Sequence, residues 1–125
     1  MTARQPTPRE IVDRQLALYN ARDLEPYLAL FDAAAELVDL PSGKVLARGI
    51  EDIRALYAAR FANPDLYCRV HARMELGTHA IDRETLHGLP GGPVEVLALY
   101  EVRQGLITRI HFLREPTPGE ERSRR

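Results

Sequence analysis

The hydrophobic period of this chain changes at Asn63-Pro64-Asp65, and that change restricts the folds open to it. Before it, buried-type positions recur three and four apart: Val12, Leu16 and Tyr19, with Gln15 as the odd polar member; Leu24, Tyr27, Leu28 and Phe31; Ile50, Ile53, Tyr57 and Phe61. That is the spacing of amphipathic helices. After it, Leu66–Leu76 alternates, with Cys68, Val70, Ala72, Met74 and Leu76 on one face and Tyr67, Arg69, His71, Arg73 and Glu75 on the other. Helices followed by strands give an α+β order, in which a sheet buries one face against helices collected on one side. The expected architecture is three helices from the N-terminal half packed in the concave face of a curved, mainly antiparallel sheet of four to six strands. Such a cone has an open mouth, and 125 residues suffice for one core of this kind.

Local signals fix the boundaries. Residues 1–6 lack apolar periodicity and are expected to fray. Thr7-Pro8-Arg9-Glu10 starts a helix, with Thr7 as cap, Pro8 where its missing N–H costs nothing, and Glu10 closing a capping box. Asn20-Ala21-Arg22-Asp23 ends it and Asp23 caps the next helix, which is expected to run through Phe31. Residues 36–40 read as a short strand stopped by Pro41-Ser42-Gly43, with Val45–Ala47 returning beside it. Gly49 opens the third helix. In the second half Gly77-Thr78 makes a two-residue turn, whose register pairs Arg73 with Asp82, His71 with Glu84, and Met74 with Ile81. Val94–Arg103 and Leu106–Arg114 are the last strands, joined at Gln104-Gly105. The domain therefore spans residues 7–114, and the Pro-, Glu- and Arg-rich residues 115–125 read as a disordered tail.

Composition narrows the partners. Seventeen basic and eighteen acidic residues are interspersed to a net charge of −1, which gives no field to attract a phosphate backbone, so nucleic acid is not expected. No apolar run is long enough for a membrane span and no leader is visible, so a cytoplasmic protein is expected. Cys68, the one cysteine, reads as a small buried hydrophobe. The four histidines share no ligand spacing; neither metal nor cofactor is expected. Leu97, Leu99 and Leu113 fall opposite Ala98 and Tyr100, which makes the outer sheet face apolar and points to a homodimer through the sheet.

The order of elements, with the stretch YNARDLEPYLALF, Asp39-Leu40-Pro41-Ser42-Gly43, Gly49-Ile50-Glu51-Asp52-Ile53, and Ala98–Val102 followed by Gln104-Gly105-Leu106-Ile107, resembles the nuclear transport factor 2-like superfamily. Within it the chain is similar to SnoaL-like and ketosteroid isomerase-like bacterial proteins, over about residues 8–114. The resemblance implies a cone-shaped α+β barrel. The isomerase's catalytic aspartate falls at Asp39, its oxyanion-binding tyrosine at Gln15 and its protonated aspartic acid at or near Ala98, so the chain departs from the isomerase at the oxyanion positions. The Arg73, Asp82 and Glu84 set resembles the arginine and paired carboxylates with which limonene epoxide hydrolase activates water, in a different order along the strands.

These residues define a candidate site. Asp39, on an apolar wall, would have its charged form disfavoured and act as general base; its other reading is as cap of the turn that follows it. Gln15, Tyr19, Tyr57 and Tyr100 would orient a ligand. His71, Arg73, Asp82 and Glu84 either face the cone, with Arg73 neutralising the acids, or lie on the solvated face as cross-strand pairs; both readings stand. The function expected is an isomerase-, lyase- or hydrolase-type enzyme working by general-base chemistry on a small apolar molecule with a carbonyl or ring oxygen. The rivals are a non-catalytic binding protein for a hydrophobic small molecule and a dimeric interaction domain.

Overall fold

The computed structural model describes residues 4–115, so residues 1–3 and 116–125, with most of the expected frayed start and tail, lie outside the described residues. Within it the elements are α1 (Pro8–Ala21), α2 (Leu24–Leu28), β1 (Phe31–Asp39), β2 (Val45–Arg48), α3 (Ile50–Phe61), β3 (Tyr67–Leu76), β4 (His79–His87), β5 (Val94–Arg103) and β6 (Leu106–Arg114). The strands form one six-stranded sheet in the order β2-β1-β6-β5-β4-β3. Strand β1 runs parallel to β6 and the other pairings are antiparallel. The sheet is curved and open, and the three helices pack on it.

The start of α1 is built as its sequence dictates. The Glu10 amide donates to Thr7 Oγ1 at 3.2 Å, and the Thr7 amide donates to Glu10 Oε1 at 2.9 Å. At its other end Arg22 adopts a left-handed conformation at φ 54°, and the chain turns back. Asn20 makes this turn a structural joint. Its amide nitrogen donates to the Cys68 carbonyl at 3.0 Å while the Cys68 N–H donates to Asn20 Oδ1 at 2.8 Å. The helix end thereby takes the place of a neighbouring strand at the start of β3.

Helix α2 is shorter than the spacing predicts. Phe31 is the first residue of β1, pairing with Ile107 of β6, and is buried. Ala33-Ala34-Ala35 has helical propensity, but pairing with β6 on either side, at Phe31–Ile107 and from Glu36–Arg109 onward, holds the stretch in β1. Gly88 shows why the β4–β5 connection needs glycine: its φ is +89°, and a Cβ there would lie 2.3 Å from the Asp65 carbonyl oxygen.

The β3–β4 hairpin carries the feature that organises the interior. Arg73 pairs with Asp82 and Met74 with Ile81, as the turn predicts. Beyond them the register shifts: Val70, not His71, stands opposite Glu84, and His71 is an extra residue in a β-bulge. One extra residue reverses the alternation. Cys68 and Val70 before the bulge and Arg73 after it therefore face the helices, while Met74 and Leu76 face outward, at 69% and 86% exposure.

Candidate active site

The bulge settles which face of the hairpin is interior. Asp82 and Glu84 are 1% and 5% exposed, so they belong to the core and not to a solvated surface. Asp82 is fully matched: Arg73 Nε donates to Oδ1 at 2.6 Å and Nη2 to Oδ2 at 2.9 Å. Arg73 Nη1 donates to Asp13 on α1, which ties the helix to the sheet. Such a two-pronged contact satisfies a buried carboxylate, which is otherwise prohibitive to desolvate.

Glu84, two residues along β4 on the same face, has no guanidinium of its own. The Cys68 thiol donates to its Oε2 at 2.6 Å. Burial pushes its pKa up to about 7, and neighbouring Asp82 pushes the same way, against the pull of the thiol and of Arg73. The Cys68 thiol is in turn raised by burial and by Glu84, so it stays protonated and serves as donor.

A cavity of about 20 Å³ lies in front of Glu84. Its polar lining is Gln15, Tyr19, Tyr57, Arg60, Cys68 and Glu84, with Tyr100 beside them, and Leu16, Leu86 and Phe112 close it on the apolar side. The volume suits one water, for which about 10–15 Å³ is required. The cone is narrow because an aromatic cluster fills its closed end: the Tyr27 ring centroid lies 4.7 Å from that of Tyr57 and 5.1 Å from that of Phe61.

Gln15 Nε2 donates to the Tyr27 hydroxyl at 3.1 Å. Tyr27 and Tyr57 are both raised by burial and are hydrogen-bonded to each other, an exchange that raises Tyr27 further and lowers Tyr57. A chain of donors thus runs from α1 through α2 to α3. Tyr19, raised mainly by burial, differs from them: its buried hydroxyl meets no acceptor among the described residues, and the nearby Arg60 guanidinium pulls its pKa the other way.

Of the residues expected at the site, Gln15, Tyr19, Tyr57, Glu84 and Tyr100 come together around this cavity. Arg73 and Asp82 form the ion pair behind it. Asp39 is not among the residues that line this cavity. Its register with Phe112 sets it on the same sheet face, but its Oδ2 accepts from Ser42 Oγ at 2.5 Å and from the Ser42 amide at 3.1 Å. The carboxylate caps the turn, and the buried acid at the cavity is Glu84. His71 also lies away from it, its Nε2 2.7 Å from Thr85 Oγ1. Cys68 and Arg60 were missed. Arg60 follows Tyr57 by three residues and so shares its helix face, a signal present in the sequence. The Cys68–Glu84 contact depends on the bulge and left no such signal.

The pattern of the SnoaL-like domain family matches residues 12–110. No functionally curated protein matches the chain. Among solved structures, an uncharacterised cystatin-fold protein from Novosphingobium aromaticivorans superposes with a TM-score of 0.77 at 25% identity, over 86% of this chain and 97% of that one. A candidate ketosteroid isomerase from Kribbella flavida gives 0.73 at 20% identity, over 92% and 85% of the two chains. A protein with a ketosteroid isomerase-like fold from Catenulispora acidiphila, in complex with trimethylamine, gives 0.70 at 21% identity, over 92% and 90%.

Proposed function

Because the chain belongs to the SnoaL-like domain family, we propose that it is a small-molecule enzyme in which Glu84 moves a proton to or from a compact, largely apolar molecule bearing a carbonyl or ring oxygen. The observation that carries this reading is a buried carboxyl with a pKa of about 7 facing an aromatic-walled cavity. A base poised near the working pH is present in both protonation states and transfers protons with the least mismatch. Cys68 fixes one carboxyl oxygen, so the other is the reactive one. The donor chain Gln15–Tyr27–Tyr57 would stabilise an oxygen that gains charge.

The cavity is small, and a substrate enters only as the half-buried Leu16, Leu86 and Phe112 side chains swing aside. A space this small restricts any ligand to a compact one; the Catenulispora relative holds trimethylamine. It also favours a second reading, a binding protein without turnover. Deuterium exchange at the α-carbons of cyclopentanone in heavy water separates the two. The enzyme reading expects exchange above the buffer rate, reduced about 10²–10⁴-fold in Glu84→Gln and retained in Asp39→Asn. Equal rates in wild type and Glu84→Gln would remove Glu84 from the chemistry. Exchange no faster than buffer, with the ketone still shifting cavity resonances, selects the binding protein.

The same proposal includes a homodimer through the sheet. The exposed Met74 and Leu76 adjoin Ile81 and Leu99 around an outer hollow of about 590 Å³. A second copy would cover it.

A further inference from the structure

Two groups at the α1–α3 end of the cavity, Tyr19 and Arg60, meet one another but no carboxylate among the described residues. The Tyr19 hydroxyl is buried, belongs to a residue that lines the cavity, and meets no hydrogen-bond acceptor among the described residues. Its ring is fixed by edge contacts, with the Phe61 centroid at 5.6 Å and that of Tyr57 at 6.4 Å, so it cannot turn to find one. Arg60 stands beside it and lines the same cavity. A guanidinium only donates, so any approach it makes to Tyr19 occupies an oxygen lone pair and leaves the phenolic hydrogen without an acceptor. Among the described residues Arg4, Arg48, Arg54, Arg73, Arg83, Arg103 and Arg109 each reach a carboxylate, whereas Arg60, like Arg9, Arg14, Arg22 and Arg69, does not, and of these five it is Arg60 that lines the cavity. Its place in the last turn of α3 suits the helix dipole, which explains a cation there but supplies nothing to the hydroxyl.

Resting on the reading that the cavity admits a small molecule, we propose that Tyr19 and Arg60 form an acceptor subsite for an anionic oxygen. The ligand class is then a compact apolar body carrying one carboxylate. Two donors, one of them charged, stand at one end of a space whose other walls are Leu16, Leu86, Phe112 and the tyrosine rings, with Gln15, Cys68 and Glu84 on the remaining sides, and a pair of donors is the complement of such an end group. Glu84 lies on the sheet side of the same space, so the oxygen and the carbon to be deprotonated would point to opposite walls.

Matched titrations of the full chain with benzoate and with benzyl alcohol, followed by NMR, test this. The subsite predicts that wild type prefers benzoate by about tenfold or more. Arg60→Gln and Tyr19→Phe should each erase that preference, with benzoate losing more affinity than benzyl alcohol. Tyr19→Phe removes a hydroxyl whose hydrogen has no acceptor and so keeps the fold. Equal affinity for the two probes, unaffected by either substitution, overturns the subsite and leaves proton transfer by Glu84 standing. Binding of neither probe overturns the subsite together with the accessible cavity. Benzoate preference without ketone exchange retains the subsite and rejects Glu84 as the base.

Discussion

At the scale of single residues, Glu84 is distinguished by what is withheld from it. Asp82, two positions away, receives both prongs of Arg73, whereas Glu84 receives a neutral thiol. The consequence for stability has a definite sign. Glu84 holds its proton to about pH 7 when folded and to about 4.5 when unfolded, so its contribution is complete below pH 4.5 and is lost as pH rises through 7. Wild type should therefore lose up to about 3 kcal/mol relative to Glu84→Gln across that interval. Paired melting curves from pH 4 to 8 check it; a pH-independent difference contradicts it. Glu10, whose pairing with Arg4 lowers it to about 2, acts in the acid range below this window. Tyr19→Phe gives a second prediction. Since a buried unsatisfied hydroxyl costs about 1–3 kcal/mol, the variant should match or exceed wild type in denaturant melts, and a clear loss would reveal a partner.

At the scale of elements, the β3–β4 hairpin decides what faces inward. Arg73→Ala should cost about 3–5 kcal/mol, because it leaves Asp82 charged, buried and alone. A loss below about 1 kcal/mol in urea unfolding would place the pair at the surface. Gly88→Ala should cost about 2 kcal/mol or more, since it combines a positive φ with a Cβ driven into the Asp65 carbonyl. A midpoint equal to that of wild type would show the loop free to move. The sequence made much of this visible. The Gly77-Thr78 turn predicted the Arg73–Asp82 pair, and Thr7-Pro8-Arg9-Glu10 predicted the helix start. It could not show the bulge, because His71 in an alternating run looks like any outward residue. Without the bulge Cys68 and Arg73 fall on opposite faces, and the contact that shapes Glu84 is hidden. Phe31 was misplaced for a related reason: only pairing with Ile107, far along the chain, makes it a strand residue.

At the scale of the whole molecule, helices on one side of an open sheet leave the other side bare, and the outward Met74, Leu76 and Leu99 are what a second copy would cover. Leu99→Arg should convert a dimer to a monomer in sedimentation; a wild type that sediments as a monomer rejects the dimer. The cone itself was legible from the period change and element order. Its degree of filling was not, because that depends on how Tyr19, Tyr27, Tyr57 and Phe61 stack on one another. Asp39 was readable both as a wall acid and as cap of the turn that follows it, and the Ser42 contacts hold its carboxylate on that turn. The account as a whole depends on one acid in that filled interior keeping its proton near neutrality. A carbon-13 titration of the Glu84 side-chain carboxyl in the full chain measures this directly. The midpoint should fall at about 7, and an ordinary midpoint of 4.5 would contradict the buried base.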